Sequence, residues 1–365
     1  MSRVPLYLAL AAAPLQPARP HYLVLFVTSR CNARCRMCFN WETLERNGEG
    51  DLALAELQKI AEHWPGLIQL TLSGGEPFLR EDLVEVVEAF VRRAGARQVS
   101  IPSNAILTER VVSFTSEILR RFPGLPLNLN LSVDAIGDEH DRIRQVPGAF
   151  AAAMKTAQGL RALRRKYPNL RLGATAVLMK QNHDRILETL VHLEQAFPWD
   201  RLQVELARGR TREPDAAQAP LECYQEAARW LREHGPASGS LLGSLHHRLA
   251  GRMREVLIQT KGGNRMVVPC RAGQELLVVE ADGTVRPCEV LHTLDPEGLR
   301  EQGLADLSLG NLRENDYRIV EILRSPRAQK IRAGIVRRRC HCSYECALYA
   351  GLVFNPRQWS WMIKA

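Results

Sequence analysis

The stretch "CNARCRMCFNW" at residues 31–41 places three cysteines close together, at Cys31, Cys35 and Cys38. It directly follows the apolar run "YLVLFVT" at 22–28, which predicts a buried strand. Thiolates on a short irregular loop can converge on three irons of a four-iron cluster. A structural zinc site would require a fourth cysteine or histidine in the same loop, which this stretch does not contain. The spacing therefore indicates a 4Fe–4S cluster with one iron open to another ligand.

Apolar strands alternate with amphipathic helices over residues 21–210, which predicts parallel β/α units. After the first strand, Leu57 and Ile60 recur on one helical face, with Asp51 as the expected N-cap. Six such units predict an α/β fold, a partial (β/α)6 TIM-type barrel that lacks two units of the closed form. The predicted strands are 22–28, 67–73, 98–104, 127–135, 172–179 and 202–208.

Short polar motifs lie at the ends of four of these predicted strands: "SGGEP" at 73–77, "SN" at 103–104, "SVDA" at 132–135 and "ARGR" at 207–210. The carboxyl ends of parallel strands lie at the same edge of a sheet or barrel. We therefore expect these motifs and the cysteine stretch to line one mouth of the barrel.

The sequence divides into four regions. Residues 1–20 form an N-terminal lead-in and 21–210 the partial barrel, while 211–265 predict a helical bridge or lid. Residues 266–365 predict a small C-terminal α+β domain.

The predicted C-terminal domain opens with two alternating strands, "QELLVVEADGTVRPC" at 274–288. Asp282-Gly283 between them is a typical two-residue hairpin turn. A helix is predicted over about 314–333, leading into the last cysteines.

The charge and the cysteine content restrict the partners of this protein. A formal charge of +9 and a pI of about 9.3 favour anionic partners. Nucleic acid is disfavoured, because basic groups of this kind more often coat solvated helix faces. Eight of the nine cysteines fall into one N-terminal and one C-terminal group, which is typical of metal binding in the cytoplasm rather than of disulfides.

The N-terminal run "VPLYLALAAAPL" is too short to cross a membrane. We expect it to pack on the first strand. Contact with a membrane surface and a secretory signal are the alternatives. The predicted location is the cytoplasm, with peripheral attachment to the membrane as the alternative.

Taken together, the motifs over about residues 22–210 resemble those of the radical S-adenosylmethionine (radical SAM) enzymes. In that family the three cysteines, here within 31–38, hold a 4Fe–4S cluster whose open iron is chelated by the amino and carboxylate groups of SAM. The resemblance also implies that Gly74, Gly75 and Glu76 contact the SAM amino group.

The resemblance extends to "SVDA" and to "HDRIR" at 140–144. It implies ribose or substrate contacts for Ser132 and Asp134, and it assigns the SAM carboxylate to Arg144, since guanidinium pairs bidentately with carboxylate. A structural ion pair between Asp134 and Arg144 is the alternative. Ser103 and Asn104 are further candidates for the ribose.

One position departs from the family. The residue before the third cysteine is usually aromatic there and covers the adenine, but here it is Met37, with Phe39 just beyond. Methionine can pack against a flat ring, so adenine binding is expected from Met37 or Phe39.

The C-terminal cysteines resemble the auxiliary-cluster modules called twitch or SPASM domains. The resemblance implies one auxiliary iron–sulfur cluster, expected to be 4Fe–4S, and four thiolates suffice for it. We favour Cys342 and Cys346 with the hairpin pair Cys270 and Cys288, and keep Cys340 as the alternate. A zinc ribbon is the competing interpretation.

The resemblance implies an enzyme that uses one electron from a flavodoxin or ferredoxin to cleave SAM to a 5′-deoxyadenosyl radical, which abstracts hydrogen from a substrate. The first choice of substrate is a peptide or natural-product precursor, and the alternative is a lipid or membrane intermediate. A non-enzymatic iron–sulfur or zinc protein is the alternative of another class.

No catalytic acid or base is assigned from the sequence. His140, Glu205 and Arg210 lie near predicted strand ends, where rim residues are equally expected.

Overall fold

The computed structural model describes residues 9, 10, 12, 13, 20–64, 66–236, 241–294, 306–337 and 340–362. Most of the predicted lead-in, which was expected to pack on the first strand with membrane contact as an alternative, lies outside these residues. Ala13 is buried in the core. Within the described parts of the chain, no helix combines the length and apolarity needed to cross a bilayer.

Six parallel strands form one side of a nine-stranded sheet in the order β6-β5-β4-β3-β2-β1-β7-β8-β9. This arrangement confirms the α/β class and the open, partial-barrel architecture. The strands are β1 (Tyr22–Thr28), β2 (Gln69–Gly74), β3 (Gln98–Ser103), β4 (Leu127–Ser132), β5 (Leu170–Leu178) and β6 (Arg201–Leu206).

Amphipathic helices cover the sheet between these strands. In the helix Leu54–Glu62, Leu57, Ile60 and Ala61 are buried against the core, as the 3.6-residue period predicts. The helices of this region are Trp41–Leu44, Leu54–Glu62, Leu83–Arg92, Thr108–Arg121, Asp138–Arg144, Ala149–Lys166 and Ile186–Ala196.

The strand β1 lies at the centre of the sheet, with β2 on one side and β7 on the other. All seven of its residues are buried. A strand covered on both faces has no solvent side, which is why its sequence is a continuous apolar run rather than an alternating one. The cysteine loop therefore begins at the end of a fully buried strand.

The C-terminal hairpin joins this same sheet. The strand β7 (Leu276–Val279) pairs with β1 in parallel and with β8 (Thr284–Arg286) in antiparallel fashion. The turn between them places Gly283 at φ +87, which glycine adopts without strain. The short β9 (Gly310–Asn311) completes the sheet. A single sheet therefore contains strands from both sides of the predicted domain boundary at residue 266.

The helices outside the parallel-strand region are Leu221–His234, Leu241–Gly263, Leu291–Leu294, Ile319–Arg324, Pro326–Arg337 and Glu345–Val353. The single helix predicted over 314–333 is therefore two helices. They are separated at Ser325, because Pro326 cannot donate a backbone hydrogen bond and disfavours a helical residue before it.

An ion pair links the helix Leu54–Glu62 to the C-terminal region. Glu56 accepts hydrogen bonds from Arg313 Nε and Nη2 at 2.7 and 2.9 Å and from the Tyr317 hydroxyl at 2.9 Å. The Arg313 hydrogen bond is the largest cause that lowers the pKa of Glu56, to about 2. The two regions are therefore held together more strongly when Glu56 is ionised.

We expect Glu56→Gln to destabilise the protein by about 1 kcal/mol at pH 7, because solvent screens an ion pair at this depth. A lowered carboxyl pKa stabilises the fold above the unfolded value of 4.5, and this contribution is lost as the pH falls towards about 2. Urea unfolding of both proteins across this range measures the difference. Glu226→Gln, an exposed position, is the control, and a difference that does not shrink with falling pH would contradict the assignment.

Candidate active site

The carboxylate of Asp51 holds the end of β1 just before the cysteine loop. It accepts hydrogen bonds from the Ser29 backbone N–H at 3.0 and 3.1 Å, from the Ser29 hydroxyl at 2.8 Å and from the Thr28 hydroxyl at 2.7 Å. The prediction that Asp51 caps the following helix is wrong, because Ala53 occupies the N-cap position. A carboxylate near an apolar helix looks like a cap in sequence, and only the fold brings it beside β1.

The cysteine loop lies along the helix Asp138–Arg144. The backbone N–H of Arg34 donates to the carbonyl of Arg144 at 3.2 Å, and that of Arg36 donates to Ile143 at 3.1 Å. These bonds hold an irregular loop in a defined path against the end of that helix.

The thiols of the loop influence one another. Burial is the main cause that raises the pKa of Cys31 to about 12 and that of Cys38 to about 11, and neighbouring thiols raise both further. Iron binding must therefore displace protons here, and a cationic centre would stabilise the resulting thiolates. This donor set suits an iron–sulfur cluster, whose irons supply that charge.

Two glycines allow the end of β2 to contact the start of the loop. A Cβ at Gly75 would lie 1.9 Å from the carbonyl oxygen of Arg30, and one at Gly74 would lie 2.5 Å from that of Thr28. Gly75 N–H donates to Thr28 at 2.8 Å, and Glu76 N–H donates to Arg30 at 2.9 Å. The two glycines of the motif "GGE" are thus required sterically for β2 and the cysteine loop to meet.

The Glu76 carboxylate is buried at the end of β2. It accepts hydrogen bonds from the Ser103 hydroxyl at 2.9 Å and from the backbone N–H groups of Asn104 and Phe78 at 2.8 and 3.2 Å. Burial raises its pKa to about 7, against the lowering by these donors. A carboxylate has roughly four acceptor sites, and these three donors leave one of them open. A cationic amine would donate a hydrogen bond to that site.

Asn104 also contacts the cysteine loop directly. Its side-chain Nδ2 donates to Asn32 Oδ1 at 2.7 Å. The sequence pattern placed Ser103 and Asn104 at the mouth as candidates for a ribose. In this structure both hydrogen-bond Glu76, and Asn104 additionally links β3 to the loop through Asn32.

Arg144 and Asp134 form an ion pair, which was the alternative interpretation of these two residues, with Nη2 and Oδ2 2.7 Å apart. Asp134 Oδ1 also accepts from the Val177 backbone N–H at 2.9 Å, and Arg144 Nη1 lies 3.5 Å from the sulfur of Cys35. Burial raises the pKa of Asp134, although Arg144 acts in the opposite direction. The pair therefore positions a guanidinium directly beside a cysteine of the loop.

His140 supports this pair and is not placed as an acid or base. Its Nδ1 accepts from the backbone N–H of Asp134 at 3.1 Å. Burial lowers its pKa to about 3, so the ring is neutral at pH 7.

The remaining predicted contacts of SAM lie at the same mouth. Ser132 ends β4, half-buried. Met37 is buried in a small apolar cluster with Ala135, Ile143 and Met179, while Phe39 lies under the guanidinium of Arg208 at 5.4 Å from Cζ to ring centroid.

The second cysteine group contains four thiols with related surroundings, because Cys342 raises the pKa of the other three: Cys270, Cys288 and Cys340. Burial is the largest cause in each case, and it raises the pKa of Cys270 to about 11 and that of Cys340 to about 12. Cys288, next to β8, is influenced by the other three. These four are therefore neighbours in space although they come from two parts of the chain.

Cys346 has different neighbours. The hydroxyl of Tyr22 donates to its sulfur at 3.2 Å. Burial is the main cause that raises its pKa to about 12, followed by the charge of Glu289. Among the described residues, no three His, Cys, Asp or Glu side chains are placed to hold a single metal ion.

Arg208, a half-buried arginine of the predicted mouth motif "ARGR" to which the sequence assigned no role, lies between the two cysteine groups. Its guanidinium pairs with Glu205 and Glu345 at 3.0 Å and with Glu289 at 3.2 Å, and its Cζ lies 5.0 Å from the ring centroid of Tyr344. Burial raises the pKa of Glu289 and Glu345. Its place directly after β6 was the only sequence signal for a role at the mouth.

Comparison with known families accounts for both cysteine groups. The family model described as "Radical SAM superfamily" matches residues 25–193, and the model described as "Iron-sulfur cluster-binding domain" (SPASM) matches residues 270–347. The chain belongs to the radical SAM superfamily and carries a C-terminal SPASM-type domain. It is therefore an enzyme, with a 4Fe–4S cluster that binds SAM and an auxiliary iron–sulfur cluster as its cofactors.

Curated relatives have several activities. The AdoMet-dependent heme synthase of Methanosarcina barkeri is 26% identical over 348 residues, 90% of each chain. The GTP 3′,8-cyclase of Synechococcus elongatus is 33% identical over 44% of this chain and 46% of its own. The PqqA peptide cyclase of Rhodopseudomonas palustris is 30% identical over 51% of this chain and 46% of its own. The chain thus spans about half the length of the two cyclases.

Solved structures share the fold. Streptococcus suis SuiB bound to S-adenosylmethionine superposes with a TM-score of 0.59 at 16% identity, covering 87% of this chain and 68% of that one. The structure of anSMEcpe with bound AdoMet and the Cp18Cys peptide gives 0.55 at 16% identity, covering 94% and 96%.

We expect Gly75→Ala to destabilise the protein by about 3 kcal/mol and to reduce iron incorporation, because the added Cβ overpacks against a backbone carbonyl that cannot move away cheaply. Iron content after reconstitution and urea unfolding are the measurements. Gly251→Ala is the control, since nothing lies within 4 Å of a Cβ there, and alanine favours the helix by up to about 1 kcal/mol. Equal behaviour of the two variants would contradict the steric role of Gly75.

The two possible ligand sets of the auxiliary cluster differ in whether Cys340 or Cys346 is the fourth ligand. They predict opposite iron contents for variants of these two cysteines. The proximity of Cys340 to Cys270, Cys288 and Cys342 favours Cys340 as a ligand, so Cys340→Ser should lose about one cluster's iron whereas Cys346→Ser should retain it. Iron and sulfide analysis of both variants decides between the sets. Loss of the auxiliary cluster in Cys346→Ser alone would support the set with Cys346 instead.

Proposed function

We propose that this enzyme cleaves SAM reductively and abstracts hydrogen from a peptide or natural-product precursor. The cluster, when bound, would supply one electron to SAM, whose sulfur–C5′ bond would break to give methionine and the 5′-deoxyadenosyl radical. The protein itself binds and orients both molecules at the mouth of the partial barrel and excludes water from it.

The single observation that carries this proposal is the convergence of Glu76 and Arg144 on the loop of three cysteines. Cys31, Cys35 and Cys38 would ligate three irons and leave the fourth for SAM. Arg144, 3.5 Å from the Cys35 sulfur, would pair with the SAM carboxylate, as guanidinium does. Glu76 would accept from the SAM amino group.

Asp134 is a positioning residue in this proposal. Its carboxylate holds Arg144 at 2.7 Å, so the guanidinium keeps one orientation before SAM arrives. An arginine that is already paired loses little side-chain entropy when it binds a second carboxylate. Ser132 at the end of β4 remains the proposed contact of the ribose or substrate, and Phe39 or Met37 the proposed cover of the adenine.

A peptide substrate is supported by relatives with peptide chemistry. One curated relative is named as a peptide cyclase, and SuiB, which has the same fold, has also been solved bound to its precursor peptide SuiA, with a TM-score of 0.51. The alternative of a lipid or membrane intermediate stays a prediction, since the N-terminal segment that motivated it lies mostly outside the described residues.

A second candidate substrate is a tetrapyrrole. It is favoured by the heme synthase of Methanosarcina barkeri, which aligns over 90% of both chains, auxiliary region included. The net charge of +9 would suit the carboxylates of such a substrate. The reductant, in either case, is proposed to be a flavodoxin or ferredoxin in the cytoplasm.

The test is anaerobic reconstitution with iron and sulfide, followed by incubation with SAM and dithionite. We expect the wild-type protein to form 5′-deoxyadenosine and Cys35→Ala to form none, because the cluster loses a ligand. Liquid chromatography with mass detection measures the product.

Cys223→Ala is the matched control, because Cys223 lies on the helix Leu221–His234 outside both cysteine groups. It should retain wild-type product formation. A wild-type protein that binds zinc and makes no 5′-deoxyadenosine would overturn the proposed function.

A further inference from the structure

Two segments face each other directly beyond the third cysteine. The backbone N–H of Arg212 donates to the carbonyl of Cys38 at 3.0 Å. The guanidinium carbons of Arg210 and Arg212 lie 5.9 and 5.8 Å from the ring centroid of Trp41. The loop after β6 is therefore packed against residues 40–41, next to the cluster-binding loop.

Three buried donors in these segments have no hydrogen-bond partner among the described residues: Asn40 Nδ2, Trp41 Nε1 and Arg212 Nε. A buried donor without a partner is destabilising, because it has lost its hydrogen bonds to water and gained none in return. Native proteins satisfy the great majority of such groups, so three unsatisfied donors on adjoining residues indicate a missing acceptor.

The charges of the neighbouring arginines differ in how they are balanced. Arg208 is surrounded by the three carboxylates described above, and Arg210 pairs with Glu42 at 2.8 Å. Within the part of the chain that the structure describes, Arg212 forms no ion pair. Its positive charge is one of those that lower the pKa of Cys38. Arg212 is thus a cation without a paired carboxylate among the described residues, and Asn40 and Trp41 add two neutral donors beside it. An anionic acceptor would satisfy all three groups.

We propose that Asn40, Trp41 and Arg212 bind a carboxylate of the substrate beside Cys38. A carboxylate offers two coplanar oxygens, which match the fork of a guanidinium and leave lone pairs for the indole and amide donors. This inference rests on the proposed function, because it places the substrate next to the loop where SAM would be cleaved. It adds the chemical class of the group that anchors the substrate.

Two sources could supply this carboxylate: an acidic side chain of a peptide, or a propionate of a tetrapyrrole. The chemistry at Arg212 is the same for both. The probes are therefore a short acetylated peptide containing glutamate with its glutamine counterpart, and coproporphyrin III with its tetramethyl ester.

The experiment is calorimetric titration of the reconstituted holoprotein with each probe, in the presence of SAM. We expect at least one acid form to bind about tenfold more tightly than its uncharged counterpart, as one charge-assisted pair is worth about 1.4 kcal/mol or more. Arg212→Gln should abolish this preference, and Arg212→Lys should restore part of it, since lysine keeps the charge without the fork.

Two further variants keep the test decisive. Trp41→Phe retains the ring and removes only the indole N–H, so it should weaken the acid form by a few fold without unfolding the site. Arg165→Gln is the matched control on the exposed end of the helix Ala149–Lys166 and should bind as wild type does.

Equal binding of the acid and uncharged forms in both probe pairs would overturn the inference. So would a loss of SAM affinity in Arg212→Gln with the preference for the acid form intact, because the donors would then belong to SAM. A wild-type protein that makes no 5′-deoxyadenosine would instead contradict the proposed function, and the binding preference is measured independently of that product.

Discussion

The close approach of the β2 end to the β1 end is the contact on which the site depends. Gly75 can donate to Thr28 at 2.8 Å only because it has no Cβ. That contact brings the Glu76 carboxylate to the start of the cysteine loop, and Glu76 in turn accepts from Ser103 and Asn104 on the next strand. Three strand ends are thus joined through one short polar motif.

Three arginines near the mouth differ in the number of carboxylates that pair with them. Arg144 is paired with one buried aspartate and reaches a cysteine sulfur. Arg208 lies between the two cysteine groups, where three carboxylates balance its charge. Arg212 has no carboxylate partner among the described residues, and it is the one whose surroundings call for an external anion. Burial makes each of these differences matter, because unbalanced charge is costly away from water.

Periodicity and motif spacing predicted most of the parallel sheet. The six barrel strands were located within a few residues, since a buried strand between Gly, Pro and polar turns is recognisable locally. The helix over 314–333 was predicted as continuous because the pattern of apolar residues runs through Pro326, whereas the backbone cannot. The role of Asp51 was missed because its partners on β1 are distant in the sequence, and capping is the usual local role of such a residue.

The sequence by itself determined the chemistry at this site: three thiols with one iron left open, the glycines and Glu76 of one motif, and a second cysteine group near the C-terminus. Spacing along the chain suffices for these features, because each lies within a short loop or directly after a strand. The tertiary structure alone decided which groups meet. Parallel pairing of β1 with β7 brings residues 270–288 beside the barrel, Cys340 joins the hairpin thiols, and Arg212 comes to lie against Trp41. Such contacts depend on long-range strand pairing, which no local pattern encodes.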